Sequence, residues 1–197
     1  QPLLSHINYI NLISKDVFYL SNFFSKTSFV KGMTSEEACK NMFNISVTQS
    51  VKGDVLEIGS WQGRSTSFLA QSIKISSNGK VYAVDHFKGN PGKEKFYKVN
   101  NDDLSDLKSN FLENMTKSGV QEYVELLDMS NVDAEKIISE KKVDIRLLFI
   151  DGCHEYDGVK KDFELFERYV VRGGLIIFDD YSSSFPGVVK FVDEILN

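Results

Sequence analysis

Five short, largely apolar runs recur along the chain, and each gives way at its C-terminal end to an acid or a glycine turn. They are Asp54-Val55-Leu56-Glu57-Ile58, Lys80 to Val84, Glu122 to Leu127, Ile145 to Ile150, and Leu175-Ile176-Ile177-Phe178. Segments of helical periodicity separate them. After the first run Phe68, Leu69, Ser72 and Ile73 share a face; further helices are predicted over Asp102 to Lys117, Val132 to Lys141 and Gly187 to Leu196. Val159, Phe163, Phe166 and Val170 also fall on one helical face, and Arg172-Gly173-Gly174 reads as the turn into the last strand. Strands that are apolar on both faces and alternate with helices need a parallel sheet covered on both sides, so the chain reads as a doubly wound α/β fold.

With 197 residues the chain fits one sheet domain with a full hydrophobic core. The sheet pattern occupies residues 51–197, and residues 1–50 read as an N-terminal helical segment packed on that core. Within it, Thr34-Ser35-Glu36-Glu37 matches a capping box, with Thr34 as N-cap and Glu37 reaching back, ahead of a helix to about Val47. Residues 3 to 31 are rich in aromatics at near-helical spacing, which two short helices over a domain edge explain most simply. A surface docking a membrane or a partner chain is the sharper alternative.

Apolar residues make up 42% and charged residues 26%, the profile of a soluble globular protein. A net charge of −5 argues against a nucleic-acid partner, which usually leaves a basic footprint. Cys39 and Cys153 are too few and too far apart for a disulfide framework or a zinc site, and a reducing, cytoplasmic setting fits best. No run approaches the length of a membrane span, and Gln1-Pro2-Leu3-Leu4 does not resemble a signal peptide; it reads as an artificial or processing boundary.

In open α/β sheets ligands bind beyond the carboxyl ends of the strands. Those ends here carry Gly59 to Gly63, Asp85-His86, Asp128-Met129-Ser130, Asp151-Gly152-Cys153-His154 and Asp179-Asp180. The glycine turn lets backbone approach a ligand, but its spacing is not that of a dinucleotide fingerprint. Glu57 just before it suits a cationic or amino-bearing group, and Asp85 lies where an acid can accept the hydroxyls of an unphosphorylated ribose. A nucleoside ligand is the expectation, against the plainer reading of a structural β–α turn. Asp151, Asp179 and Asp180 stand at two strand tips, where converging carboxylates would repel one another unless a hard divalent cation joined them. The plainer alternative is a turn cap at Asp179 and an ion pair at Asp180. His154, near neutral at pH 7, suits a general base, or merely bonds the following helix; Cys153 is expected to pack. The polar stretch Lys88 to Asn101 reads equally as a mobile cover and as a surface loop.

Glu57-Ile58-Gly59-Ser60-Trp61-Gln62-Gly63-Arg64-Ser65-Thr66 resembles the first motif of class I S-adenosylmethionine (SAM)-dependent methyltransferases, specifically the group of macrocin-type sugar O-methyltransferases and cephalosporin-hydroxylase-like proteins. Leu148 to Tyr156, Asp162, and Gly173 to Tyr181 resemble that group's later motifs in order and spacing, and the similarity runs from about Thr34 to Leu196. The resemblance implies a Rossmann-like methyltransferase sheet and a SAM site. Glu57, Gly59, Ser60 and Gly63 would surround the methionine part, with Trp61, Ser65 and Asp151 in the same cofactor-binding set. Asp85 would take the ribose, Asp128, Met129 and Ser130 the adenine edge, and His86 or Phe87 the adenine face. It further implies magnesium on Asp151, Asp179 and Asp180, with Asp151 and His154 catalytic, His154 at the place where catechol-type relatives carry a lysine base.

The activity so implied is methyl transfer to a hydroxyl of a sugar or other small polar molecule, by a protein that could form a homo-oligomer. Competing readings are an inactive SAM-binding scaffold and an NAD-dependent oxidoreductase, the latter disfavoured by the glycine spacing. The group normally adds a β-hairpin after the last helix; its apparent lack here is expected to reflect a cut C-terminus, a fragment of a longer chain, or an edge covered by another subunit.

Overall fold

The computed structural model describes Thr27, residues 29–90, Tyr97 and residues 104–197. The helices expected within residues 3 to 31 and most of the loop from Lys88 to Asn101 lie outside the described residues. Among the described residues five strands, β1 (Asp54–Ile58), β2 (Val81–Val84), β3 (Val124–Leu127), β4 (Ile145–Ile150) and β5 (Val170–Phe178), form one sheet in the order β3-β2-β1-β4-β5. Every pairing is parallel. Among the described residues six α-helices flank it: α1 (Glu36–Thr48), α2 (Arg64–Ser76), α3 (Leu107–Lys117), α4 (Asn131–Lys141), α5 (Tyr156–Phe166) and α6 (Pro186–Leu196).

Successive residues of a strand point to opposite faces, and the sheet uses both. Val55 joins Phe68, Phe111 and Phe43 in the layer under α1, α2 and α3, whereas Leu56 joins Ile138, Val159 and Phe191 in the layer under α4, α5 and α6. The chain builds outward from β1 to β3 and then returns to add β4 on the other side of β1. Connections therefore diverge between β1 and β4, which opens a crevice above their C-terminal ends.

Two local expectations change. Val170 does not continue α5, which stops at Phe166; it pairs with Ile145 as the first residue of β5. Arg172-Gly173-Gly174 is then a bulge, since the next pair is Leu147 with Leu175. The N-cap of α1 is Ser35, whose hydroxyl accepts the Ala38 N–H at 3.1 Å. Thr34 is released from that duty and buried elsewhere.

β4 carries one residue at odds with its neighbours. Arg146 is fully buried. Its guanidinium donates to the carbonyls of Gly53, Asn78 and Ser46, to Gln49 Oε1 and to Ser46 Oγ. One side chain thus collects the end of α1 and the entry to β1, fastening the N-terminal helix to the sheet. A buried acceptor deprived of its donor costs about 1–3 kcal/mol. Arg146→Met orphans several at once, so denaturant unfolding is expected to show a loss of about 3 kcal/mol.

Candidate active site

The tips of β1 and β4 touch. The Asp151 N–H donates to Ile58 O at 2.9 Å, and the Gly59 N–H donates to Val84 O at 2.9 Å. Gly59 has φ +86°, and a Cβ there would overlap the Asp151 carbonyl. Only glycine serves at this place. Above these tips lies a cavity of about 580 Å³.

Asp85, at the tip of β2, shapes the turn after β1. Its Oδ2 accepts the N–H groups of Ser60 (3.0 Å) and Trp61 (2.8 Å), and its Oδ1 accepts that of Phe87 (2.7 Å). Oδ2 is thus taken up by two N–H groups, whereas Oδ1 keeps a further lone pair for a ligand hydroxyl. Trp61 adopts φ +48°, an uncommon conformation for a bulky residue, and its ring stacks on Tyr97 with centroids 5.4 Å apart.

Across the crevice, Asp151, His154 and Asp180 converge, with one ligand atom from each within 4.8 Å of the others. His154 Nε2 lies 3.0 Å from Asp180 Oδ2 and 3.8 Å from Asp151 Oδ1. Asp179 keeps its backbone in the sheet ladder through an N–H bond to Ile150 O, whereas Asp180 leaves the ladder at φ +58°. Aspartate tolerates that region better than most residues. The edge of Phe185 packs on the imidazole, with centroids 4.7 Å apart. The Thr34 hydroxyl donates to Asp151 Oδ2 at 3.0 Å.

Burial lifts the acids. Asp151 is pushed up to about 6, mainly by desolvation and further by Asp179, against hydrogen bonds from His154 and Thr34. Desolvation also raises Asp180, with His154 opposing. Glu57 lies fully buried beneath the turn and is pushed up to about 7 by desolvation, which neighbouring hydroxyls only partly offset. The Thr66 hydroxyl donates to its Oε2, while its Oε1 makes no hydrogen bond. Desolvation likewise raises Asp162 to about 6; its Oδ1 accepts from Asn131 Nδ2 at 2.6 Å.

Of the residues singled out from sequence, Gly59, Ser60, Trp61, Ser65, Asp85, His86, Ser130, Asp151, His154, Asp179 and Asp180 line the cavity. Glu57 lies below it. Gly63, at φ +88°, faces Phe111 and Met115 as the N-cap of α2. Phe87 turns into the core against Phe111, Met129 packs on the opposite core layer, and Asp128 pairs with Lys108 at 2.7 Å. These four do not line the cavity. The converging trio includes His154 and not Asp179, because the two adjacent aspartates point differently once Asp180 takes positive φ. Sequence reasoning missed Thr34, whose capping signal pointed elsewhere, and also Asn90, Asn131 and Phe185, which carry no local motif. Cys153 packs beside Gly158 on the wall.

The three acids raised furthest, Glu57, Asp151 and Asp162, dominate the pH dependence of stability in the acid-to-neutral range. Between roughly pH 4 and 7 the folded chain holds protons that the unfolded chain has released, so stability falls as pH rises through that window and levels off above it. Glu57→Gln removes the upper part of the slope and is expected to exceed the wild type at pH 8 by on the order of 2 kcal/mol. Denaturant unfolding at pH 5 and pH 8 checks this; a wild type that gains stability between them contradicts it.

A methyltransferase-domain family model matches residues 56–181. An uncharacterised protein of Acanthamoeba polyphaga mimivirus is 46% identical over 57 residues, covering 26% of this chain and about a quarter (26%) of the relative's length. Among solved structures, the O-methyltransferase NovP superposes with TM-score 0.63 at 21% identity, over 80% of this chain and 69% of that one. The O-methyltransferase from Bacillus cereus in complex with S-adenosylhomocysteine (SAH) gives 0.61 at 20% identity, over 90% and 78%. A TDP-rhamnose 3'-O-methyltransferase of calicheamicin biosynthesis gives 0.55 at 18% identity, over 82% and 72%. These likenesses establish the shared fold. With the family match over 56–181, the chain belongs to the methyltransferase-domain family.

Proposed function

We propose that this chain transfers the methyl group of SAM to a hydroxyl of a sugar or another small polar molecule. One observation carries the reading: a single cavity at the switch point joins the glycine turn held by Asp85 to the Asp151, His154 and Asp180 cluster. The first half suits an adenosyl group with its ribose on Asp85, above a turn that the fully buried Glu57 supports from below. The second half suits proton removal. The names of NovP and of the calicheamicin relative favour an oxygen acceptor, the latter a sugar.

In the reaction, the acceptor oxygen attacks the sulfonium methyl; the O–C bond forms as the C–S bond breaks, and the electron pair leaves with sulfur in SAH. The chain's work is to align these three atoms, exclude water and take the acceptor proton. His154 accepts that proton. Asp180, 3.0 Å from Nε2, holds the ring and compensates the imidazolium, and Phe185 fixes its plane. Thr34 holds the Asp151 carboxylate.

The convergence of three donors within 4.8 Å favours a second reading for the same cluster, a divalent cation. Asp151, His154 and Asp180 would hold it, with Asp179 on the same wall. A mixed nitrogen and oxygen set suits manganese as well as magnesium, and the cation would supply charge that lowers the hydroxyl pKa. With Nε2 on a cation, Asp180 could not hold the ring through that nitrogen, so the two uses exclude one another.

Calorimetry with SAM and NAD separates the donor readings: SAM is expected to bind and NAD not. On a panel of sugar and polyol acceptors, His154→Ala is expected to keep SAM affinity and lose about 100-fold or more in turnover. Tight SAM binding with no product from any acceptor would instead favour a binding scaffold. Mn²⁺ titration distinguishes the two uses of the cluster, since only the cation reading expects binding that Asp180→Asn weakens. The acidic net charge favours a small-molecule acceptor over nucleic acid. Among the described residues no helix is long and apolar enough to cross a membrane.

A further inference from the structure

Arg64 opens α2 directly after the glycine turn and lines the cavity beside Thr34 and Ser65. Nε donates to the Val30 carbonyl at 2.8 Å and Nη1 to the Thr34 carbonyl at 3.1 Å. Both acceptors are neutral. Among the described residues no carboxylate comes within ion-pair distance of the guanidinium, and Nη2 makes no hydrogen bond. An arginine stays charged at any ordinary pH, so a partly buried cation faces the cavity with no carboxylate paired to it among the described residues; Glu36, on which it acts electrostatically, is exposed and paired with Lys40. The helix it opens adds to the imbalance, having neither an acid in its first turn nor a side-chain cap.

Thr34 sets this charge against one of opposite sign. Its carbonyl holds Arg64 while its hydroxyl holds Asp151. A single residue therefore links a cation and a carboxylate on the cavity wall. Gly32 belongs to the same arrangement, because a Cβ there would come within 2.6 Å of Arg64 Cβ. Two opposite charges at fixed spacing match a zwitterion better than they match a neutral or singly charged ligand.

We propose that Arg64 is the carboxylate-recognising residue of the donor site, binding the α-carboxylate of the methionine half of SAM while Asp151 takes the α-ammonium. This rests on the SAM reading above and assigns within it a residue that the glycine-turn motif carries without a role. It also gives the segment from Val30 to Thr34 a function: the backbone carbonyls hold the guanidinium in place, so the carboxylate meets an already oriented donor fork.

The test compares SAM with decarboxylated SAM, which keeps the sulfonium, the adenosine and the amine and lacks only the carboxylate. By calorimetry the wild type is expected to favour SAM by about 10- to 100-fold, the range of a charge-assisted hydrogen bond. Arg64→Gln is expected to bring that ratio close to one, chiefly by weakening SAM, with the decarboxylated ligand changed by less than about threefold. Mere displacement of the Val30–Thr34 segment would weaken both ligands alike and leave the ratio intact, so an unchanged ratio overturns the proposal, as does a wild type that binds both equally. Should the glutamine variant not fold, Arg64→Lys replaces it. One ammonium cannot serve both the backbone carbonyls and the ligand, and a ratio reduced at least about threefold is expected, an unchanged one again being fatal. A wild type that binds neither ligand removes the donor reading itself, and this assignment with it.

Discussion

The contact between the tips of β1 and β4 is the constraint on which the site depends. Glycine at position 59 lets the backbone of Asp151 lie against the turn, and the bond from its N–H to Ile58 O locks the two tips in register. Any side chain at 59 would force them apart. Because the chain turns outward in both directions from this pair, the space above it is open, and whatever stands at neighbouring tips leans toward it. Asp85 from β2 and Asp180 from β5 reach the same cavity for that reason.

The arrangement is electrostatically costly without a ligand. Glu57, Asp151 and Asp180 all hold their protons more tightly than in water, because burial penalises their charged forms. A fold selected for stability alone would not gather them. The compensation inside the chain is partial: Thr34 on Asp151, His154 on Asp180, Thr66 on Glu57, and Arg64 held nearby by carbonyls. Incomplete compensation of this kind is what a site for a cationic, zwitterionic ligand requires, and two of the described non-glycine residues at positive φ, Trp61 and Asp180, stand on the cavity wall.

How much of this was readable from sequence follows from the range of each interaction. The strands were readable because Val55 and Leu56, or Leu147 and Leu148, feed opposite core layers and must both be apolar. The strand tips were readable because topology alone sends them to one edge. Val170 was misread because its spacing from Phe166 fits a helix, while its pairing with Ile145 is a long-range fact. Thr34 was misread because two adjacent hydroxyl residues could each cap α1, and only the fold shows that Ser35 does so while Thr34 turns to Asp151, 117 positions away. Phe87 follows Asp85 closely, yet its positive φ sends the ring into the core. The role of Arg146 was not readable, because its five hydrogen-bonding contacts come from distant segments.

The account stands on a ligand bridging the two tips, and a crystal of the protein grown or soaked with SAH addresses it most directly. Density is expected across the gap between Gly59 and Asp151, with a ribose hydroxyl on Asp85 and the sulfur facing His154. A fully ordered crevice that stays free of SAH at saturating concentration, or SAH seated away from these tips, would contradict it.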